Sequence, residues 1–376
     1  MNVLDRYGLT KIINARGTFT PLGVSRSSDQ VSRAVAEALQ DYFVIDELQD
    51  LVSRKLAGIA GSEAGAVTHC VAAGITMSIA AAMVGTSPEK IAALPDTKGI
   101  PNRVVLPANH AIDYGHPIQQ AVRLAGATPV LAGTVDECSL ADIDGQLRHA
   151  DTCCLLLVSS RLTTGRSVDL SAAVDASHLR GVPTIIDGAA QDMRIKELLA
   201  TNADLVLVSA HKYMASPTAG LVIGRKALVD AVRAQERGIG RAMKATKEAI
   251  IGVLSALEER SVLHIAEWRE TQACKVSDFV GRANELPGVK ARSVPDPAGM
   301  PFMRAHVQVD DRQTGVNARS LAVALKNGVP SIWVMDDKIA DGDIVFELVQ
   351  TDRDEIDTIL AQLSKLLSRS SSPDGS

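Results

Sequence analysis

The side chain best suited to covalent chemistry in this sequence is a lysine in apolar surroundings. Lys212 lies between two strand-like runs, 205–208 and 220–224, in a segment of small and apolar residues. Lysine is rarely buried without a task. A partly desolvated lysine holds more of the free amine that forms a Schiff base with a carbonyl group. The position therefore favours a nucleophilic amine, and a structural ion pair is the alternative.

A carboxylate precedes this lysine by one predicted strand–helix–strand unit. Asp187 ends the apolar run of VPTIID, and the next apolar strand leads into Lys212. Parallel strands joined by a helix bring their carboxyl ends side by side, and open α/β sheets bind their ligands at those ends. We therefore expect both side chains in one crevice. Asp187 as a helix cap remains an open alternative.

A third feature suits a phosphate group. The segment AVTHCVAAGITMSIAA predicts a short strand, a turn of small residues and a helix, whose first backbone N–H groups would face an anion. Plain packing is the alternative explanation of the small residues. The candidate phosphate-binding residues are His69, Cys70, Val71 and Ala72, with Ser209 and His211 as further donors. A phosphate cradle, an acid and a Schiff-base lysine are together what pyridoxal 5′-phosphate requires, so the sequence predicts this cofactor.

The elements that position these residues alternate along the chain. From about residue 64 to 209, continuously apolar strands alternate with helices, which predicts an α/β fold with a three-layer, mostly parallel sheet. A long helical stretch is predicted over roughly 226–283, followed by a smaller α+β domain. The predicted divisions are an N-terminal arm (1–25), a large cofactor-binding domain (26–265), a small C-terminal domain (266–368) and a disordered tail (369–376).

Composition narrows the possible partners. The 376 residues carry a net charge of −5 without a basic block, so we expect no nucleic-acid partner. No apolar run reaches membrane-spanning length, so we expect no membrane partner. The five cysteines form no CxxC pair, which favours reduced thiols and a cytoplasmic location. No metal site is predicted.

Five segments together resemble a known family. The chain is similar to fold-type-I pyridoxal-phosphate enzymes, and most similar to the selenocysteine synthase-like group with D-glucosaminate-6-phosphate ammonia-lyase-type proteins. The resemblance implies Lys212 as the Schiff-base lysine and Asp187 as the partner of the pyridine nitrogen. It also implies a homodimer or larger homo-oligomer with shared active sites. The segments are INARGTFTPLG, LAGIAGSEAGAVTHCVAAGITMSIAA, VPTIIDGAAQ, ADLVLVSAHKYMASPTAGLVIGRKALV and GIGRAMKATKEAIIGVLSALE.

Two expected parts of such a site are not evident. No aromatic residue stands where many of these enzymes stack a ring on the cofactor, and His110 is our candidate for that role. A hydrogen-bonded loop histidine is the alternative. Arg304 is expected to be an ordinary surface arginine. The candidates for holding an anionic substrate, each with a surface role as its alternative, are Arg16, Arg161, Arg241 and Lys244.

The cofactor permits several reactions, and the sequence favours one. We expect a lyase that removes ammonia or water by α,β-elimination from a small amino acid or amino-sugar acid and yields a 2-oxo acid, with Lys212 as the acid/base at Cα. The alternatives are a selenium transferase or aminotransferase, an aldolase and a racemase. A nicotinamide oxidoreductase lacks its GxGxxG turn here. A catalytically silent cofactor-binding protein is disfavoured by the Lys212–Asp187 pair.

Overall fold

The fold was examined in a computed structural model that describes residues 2–369. Two compact units are present: residues 27–262 form the larger, and the chain up to Arg26 joins the residues from Leu263 onward in the smaller. Residues 370–376 of the predicted disordered tail lie outside the described residues. Within residues 2–369, no helix has both the length and the apolar character needed to cross a bilayer.

The elements of the described chain have the following bounds. The helices are α1 (Val3–Tyr7), α2 (Asp29–Gln40), α3 (Ile45–Ala60), α4 (Val71–Val84), α5 (Pro88–Ala93), α6 (Ile118–Leu124), α7 (Leu140–Leu147), α8 (Leu170–His178), α9 (Ile195–Leu199), α10 (Lys226–Ala234), α11 (Lys247–Ser261), α12 (Ile265–Ala283), α13 (Asp311–Thr314), α14 (Ala318–Lys326) and α15 (Arg353–Arg369). The strands are β1 (Ile12–Ala15), β2 (Ala64–Thr68), β3 (Arg103–Pro107), β4 (Thr128–Ala132), β5 (Thr152–Val158), β6 (Thr184–Asp187), β7 (Leu205–Ser209), β8 (Gly220–Gly224), β9 (Val289–Pro295), β10 (Met303–Val309), β11 (Ser331–Val334) and β12 (Asp343–Phe346).

The larger unit is built on a seven-stranded sheet with the order β2-β8-β7-β6-β5-β3-β4. Its five strands β4, β3, β5, β6 and β7 run parallel to one another. Successive residues of one strand enter opposite cores: Leu155 and Leu157 pack into one cluster, and Leu156 packs into the other. Helices cover both faces, so the strands are apolar throughout rather than alternating. The predicted mostly parallel, three-layer fold is confirmed.

One end of this sheet departs from the parallel pattern. Strand β8 pairs antiparallel with both β7 and β2. Residues 210–219 are therefore the loop of a β7–β8 hairpin, and Lys212 lies in that loop. A fully buried strand has the same apolar sequence whether it pairs parallel or antiparallel, so the sequence pattern could not reveal this pairing.

The predicted continuous helical stretch over 226–283 is wrong. Helix α10 ends at Ala234, and two short 3₁₀ turns lead to an extended segment before α11 begins. A Cβ atom on Gly238 would lie 2.6 Å from Ile91 Cγ2, and one on Gly240 would lie 2.8 Å from the Gln235 carbonyl oxygen. Both glycines allow a close approach that a straight helix would not make. The break returns the chain to β2, where the His69 N–H donates to the Met243 carbonyl at 2.8 Å.

The smaller unit contains two short sheets. Strand β1 pairs parallel with β11, and β10 lies between β9 and β12 in an antiparallel sheet. Its core includes Phe279 and Phe346, whose ring centroids lie 5.1 Å apart. The sequence pattern missed β9, because only Ala291 of its residues is buried, while Lys290 and Arg292 are exposed, so the strand shows no apolar run.

Candidate active site

Asp187 and the segment leading to Lys212 come from neighbouring parallel strands. Asp187 is the last residue of β6 and lies in register with Leu207 of β7. Its carboxylate is buried, and Oδ1 accepts a hydrogen bond from the Ala189 N–H at 3.0 Å. The Ser209 N–H in turn donates to the Ala189 carbonyl at 3.0 Å. The turn after β6 is therefore held against the carboxyl end of β7, as the β6–helix–β7 topology requires.

Lys212 acts electrostatically on Asp187. Burial raises the pKa of the Asp187 carboxyl to about 6, while the positive charge of Lys212 and the Ala189 N–H act in the opposite direction. Asp187 ends β6, and Lys212 follows the parallel neighbour β7, so both residues lie at the same edge of the sheet. Their joint contact with a cofactor stays a prediction.

The loop around Lys212 is closed by its own backbone. The Ala210 N–H donates to the Ala219 carbonyl at 3.0 Å, and the Ser216 N–H donates to the Ala210 carbonyl at 3.1 Å. His211 Nδ1 lies 3.0 Å from the Ala219 carbonyl oxygen and 3.2 Å from its N–H. This contact gives His211 a structural role in holding the loop, besides the cofactor contact predicted for it. Lys212 itself is half-buried.

The beginning of α4 has the features of a phosphate cradle. Cys70 is the N-cap residue and makes no side-chain hydrogen bond to the helix, so the first N–H groups of α4 lack a side-chain cap. A Cβ atom on Gly220 would lie 2.4 Å from the Cys70 carbonyl carbon and 2.7 Å from the Val71 nitrogen. Gly220 thus lets β8 approach the helix terminus closely. Ser209, buried and in register with Gly220, reaches the same place.

His110 lies beside the same strand ends. Its ring is buried, and Nδ1 accepts a hydrogen bond from the Val158 N–H at 3.0 Å. Val158 is in register with Asp187 on the neighbouring strand. Burial lowers the pKa of His110 to about 4, so the imidazole is neutral near pH 7. A flat, uncharged ring held beside Asp187 fits the stacking role predicted from the sequence.

Sequence reasoning missed a tyrosine four residues further along. The Tyr114 hydroxyl is buried and makes no hydrogen bond within residues 2–369. Burial raises the pKa of this phenol, and the negative charges of Asp187 and, more weakly, Asp113 raise it further. The available signal was an aromatic residue in the same loop as His110, in the segment HAIDYGH.

A buried ion pair next to Lys212 was also missed. Asp192 and Arg260 lie 2.8 Å apart, and the Asp192 side chain is fully buried. Burial raises the pKa of Asp192 to about 6, against the charges of Arg260 and, more weakly, Lys212. Asp192 follows Asp187 in the same turn, but Arg260 ends α11. Only the tertiary fold unites them, so no local pattern could have found the pair.

The predicted anion-binding residues fall in different places. Arg241 and Lys244 are exposed, and Lys244 forms a backbone bridge with Thr68, next to His69. Arg161 is exposed in the larger unit. In the smaller unit, Arg16 pairs with Asp336 at 2.5 Å and donates to the Val334 carbonyl at 2.9 Å. Arg16 therefore belongs to a different unit from Arg161, Arg241 and Lys244.

Arg304 is not a surface residue, contrary to expectation. Its guanidinium is buried and lies 2.7 Å from Asp296 and 3.0 Å from Glu347. Arginine at a strand position beside two acids of its own unit is neutralised there. Its positive charge therefore balances these two acids inside the smaller unit.

The residues of the larger unit fit pyridoxal 5′-phosphate. Asp187 offers a buried carboxylate that accepts one backbone hydrogen bond, and His110 offers a neutral ring. The start of α4 offers N–H groups, and Gly220 leaves room beside them. Within residues 2–369, no group of three or more His, Cys, Asp or Glu side chains is arranged to hold a metal ion.

The fold and this site define a pyridoxal-phosphate-dependent enzyme of fold type I. The family described as SelA, L-seryl-tRNA selenium transferase, matches residues 166–322. A 5′-C-glycyluridine monooxygenase-decarboxylase from a Streptomyces species is 31% identical, with coverage of 96% of this chain and 91% of the relative. The D-glucosaminate-6-phosphate ammonia lyase of Salmonella typhimurium is 29% identical over 97% of this chain and 98% of its own length.

A solved structure agrees with these relatives. The structure of a D-glucosaminate-6-phosphate ammonia-lyase superposes with a TM-score of 0.88 at 28% identity and covers 99% of this chain and 100% of that one. The chain belongs to the family of pyridoxal-phosphate enzymes that contains the D-glucosaminate-6-phosphate ammonia lyases and the selenocysteine synthase-like proteins. The predictions of this family, of its cofactor and of a pyridoxal-phosphate-dependent lyase are confirmed at that level.

Proposed function

We propose that the protein holds pyridoxal 5′-phosphate at Lys212 and eliminates water or ammonia from an amino acid or amino-sugar acid, releasing a 2-oxo acid. The observation that carries this proposal is the pairing of buried Asp187 with Lys212 at adjacent strand ends, beside the uncapped start of α4. The full-length likeness to an ammonia lyase supports the elimination chemistry. Other members of the family carry different names, so the site residues must account for the choice of reaction.

Each residue has a separate task in this proposal. Bound pyridoxal phosphate supplies an electron sink for the bond that breaks at Cα. Asp187, ionised above a pKa of about 6, accepts the hydrogen of the pyridine nitrogen and keeps it in place. The N–H groups at the start of α4 bind the phosphate. His110 covers one face of the ring and excludes water from it.

Lys212 moves the proton. Its amine accepts the proton from Cα as that C–H bond breaks, and the β-substituent leaves with the electron pair of its own bond. When the leaving group is hydroxide, the ammonium form of Lys212 donates this proton to it, so that water departs and the free amine is regenerated. A water molecule then hydrolyses the released enamine, whose carbon takes its proton from solvent, and ammonia and the 2-oxo acid are formed.

The edge of the site favours an anionic substrate. Lys244 is held next to His69 by its backbone bridge to Thr68, and Arg241 precedes it on the same exposed segment. Two cations beside the start of α4 would attract a carboxylate or phosphate substituent of the substrate. Arg161 is a further exposed cation of the same unit.

Selenium transfer is the second candidate. The match of residues 166–322 to the L-seryl-tRNA selenium transferase family supports it. The net charge of −5 opposes it, because a tRNA partner requires a basic surface. An aminotransferase, an aldolase and a racemase need the same core residues and are separated from a lyase by their products.

A substrate screen tests the proposed reaction. Purified protein is incubated with D- and L-amino acids and amino-sugar acids, without an amino acceptor, and the release of ammonia and 2-oxo acid is followed. We expect both products from at least one substrate, and turnover in Lys212→Ala reduced about 10³-fold or more. The exposed Lys226→Ala serves as the matched control and should retain full activity. If product formed only when an oxo-acid acceptor was added, the activity would be that of an aminotransferase and the proposed lyase activity would be wrong.

We further propose a cytoplasmic homo-oligomer whose active sites are shared between subunits. The exposed segment with Arg241 and Lys244, next to the start of α4, is the part that we expect at the subunit boundary. Mixing Lys212→Ala subunits with Lys244→Ala subunits should restore part of the activity, since some mixed sites regain both side chains. Absence of any recovery from subunits that exchange would contradict a shared site.

A further inference from the structure

The loop between β3 and α6 connects the two ends of the cofactor site. At its start, His110 is fixed to Val158, beside Asp187. At its end, α6 packs on α4, where Thr76 Oγ1 donates to the Ala121 carbonyl at 3.0 Å. The chain between these anchors therefore passes from the Asp187 end of the site toward the helix that begins at Val71.

Tyr114 is held firmly within this loop. Its N–H donates to the His116 carbonyl at 3.3 Å, and Asp113 forms a backbone bridge with Pro117. The aromatic rings of Tyr114 and His116 meet edge to face, with centroids 4.6 Å apart. The Tyr114 ring also packs on the core cluster that contains Val71. The ring is thus fixed on the α4 side of the sheet.

The hydroxyl group at the end of this ring has no protein partner. Tyr114 Oη is buried and makes no hydrogen bond within residues 2–369, and the same holds for Asn109 Oδ1 in the same loop and for Gln119 Oε1 in the first turn of α6. A buried hydroxyl without a partner costs free energy, so such groups in native proteins face a ligand or a water molecule. Two such atoms in the loop, with a third directly after it, indicate that the loop faces a polar ligand.

The surroundings decide which ligand atom this hydroxyl can reach. The loop that carries this hydroxyl begins beside Asp187 and ends against α4, and the Tyr114 ring packs on the cluster that contains Val71, so the hydroxyl lies between the carboxylate and the start of α4. Burial, and then the charge of Asp187, raise the pKa of the phenol, so it is protonated at neutral pH and acts as a hydrogen-bond donor. The pyridine nitrogen on the Asp187 side is itself a donor when protonated. The acceptors between that nitrogen and the start of α4 are the oxygens of the phosphate.

We propose that the Tyr114 hydroxyl donates a hydrogen bond to the phosphate of pyridoxal 5′-phosphate and completes the cradle at the start of α4. This inference rests on the proposed function, because it requires the cofactor in this site. In this proposal Tyr114 is a cofactor-binding residue that contacts the phosphate and does not contact the reacting carbon.

The test compares two ligands that differ only in the phosphate. The dissociation constants of pyridoxal 5′-phosphate and of pyridoxal are measured by absorbance titration of the apoprotein, for wild type and Tyr114→Phe. We expect the variant to bind pyridoxal 5′-phosphate about 10- to 100-fold more weakly and pyridoxal unchanged, since one hydrogen bond to a charged group is lost. Tyr7→Phe, at an exposed tyrosine, is the matched control and should change neither constant.

Two outcomes would overturn the proposal. If Tyr114→Phe weakened the binding of both ligands equally, the hydroxyl would contact the pyridine ring or serve only the fold. If the binding of both ligands were unchanged, the hydroxyl would not contact the cofactor. The variant should fold, because it removes a hydroxyl that has no protein partner, and the melting temperature of the apoprotein verifies this. Wild-type protein that binds neither ligand would instead refute the proposed function, so the two failures are distinguishable.

Discussion

Two regions of this protein bury charge, and they do so in opposite ways. In the smaller unit, Arg304 Nη2 faces Asp296 and Glu347 at 2.7 and 3.0 Å, and Nη1 donates to the Met335 sulfur at 3.2 Å. In the larger unit, the Asp187 carboxylate accepts a backbone hydrogen bond from Ala189, and burial raises its pKa to about 6 against the charge of Lys212. Both groups are almost completely inaccessible to solvent.

The difference shows that burial alone does not mark a functional site. A buried charge that meets opposite charges is committed to the fold, and removing one partner destabilises the protein. A buried carboxylate whose pKa stays raised is only partly compensated by its surroundings, so it remains available to a ligand and its ionised form destabilises the apoprotein. The sequence predicted a surface position for Arg304, and the structure instead buries it beside two acids.

Replacing Arg304 should destabilise the smaller unit and leave the cofactor site of the larger unit unchanged. In Arg304→Met, Asp296 and Glu347 lose their counter-charge, so the free energy of unfolding should fall by about 3–5 kcal/mol. Denaturant unfolding measures this, and cofactor binding of the remaining folded protein should be unchanged. Lys226→Ala, which removes an exposed pair, should change the stability by less than about 0.5 kcal/mol. A loss of similar size in both variants would contradict the comparison.

Replacing Asp187 should increase the stability of the apoprotein at high pH, whereas replacing Arg304 should decrease stability. Because the folded-state pKa is raised from 3.8 to about 6, the folded protein binds more protons than the unfolded chain between these pH values. This group therefore lowers stability as the pH rises through that window, by about 3 kcal/mol above pH 6. Asp187→Asn apoprotein should be more stable than wild type at pH 8, and the gain should vanish near pH 4.

The same variant should bind pyridoxal 5′-phosphate more weakly at pH 8, because the neutral amide does not stabilise a protonated pyridine nitrogen. Thermal unfolding at both pH values, with and without cofactor, checks the two effects together. A destabilised apoprotein at pH 8 would show that Asp187 serves the fold, as the carboxylates beside Arg304 do.

A substitution at Gly220 tests the phosphate-binding start of α4, with a smaller expected effect. In Gly220→Ala the new Cβ would meet the backbone of Cys70 and Val71 at 2.4–2.7 Å, so the start of α4 must shift. We expect a loss of about 1–3 kcal/mol in stability and weaker binding of the phosphate. Gly58→Ala, inside α3 with open space around it, should stabilise the protein by about 0.5–1 kcal/mol. Titration with inorganic phosphate, which lacks the ring, isolates the effect on the cradle.

Local signals were sufficient for part of this site. Apolar strands ending in Asp187 or leading to Lys212 are local patterns, and the rule that ligands lie at carboxyl ends of parallel strands places both residues together. The small residues of β2 and α4 likewise predicted the strand–turn–helix that the structure contains.

Other features depend on contacts that are distant in sequence. Tyr114 lies in a loop without periodicity, and its relation to Asp187 and Cys70 exists only after the sheet forms. Arg304 is buried because acids from two other segments surround it. The helical stretch over 226–283 breaks where Gly238 approaches Ile91, which is distant in sequence, and a helical apolar pattern does not reveal this contact.

The central claim is that Lys212 holds the cofactor covalently while Asp187 faces the other end of the ring. Its most direct test is reduction of the cofactor-loaded protein with borohydride, followed by proteolysis and mass spectrometry. We predict that the visible absorption disappears and that the pyridoxyl mass is found on the peptide that contains Lys212. A loaded protein whose label lies on another lysine, or one that remains colourless and unlabelled, would contradict the claim.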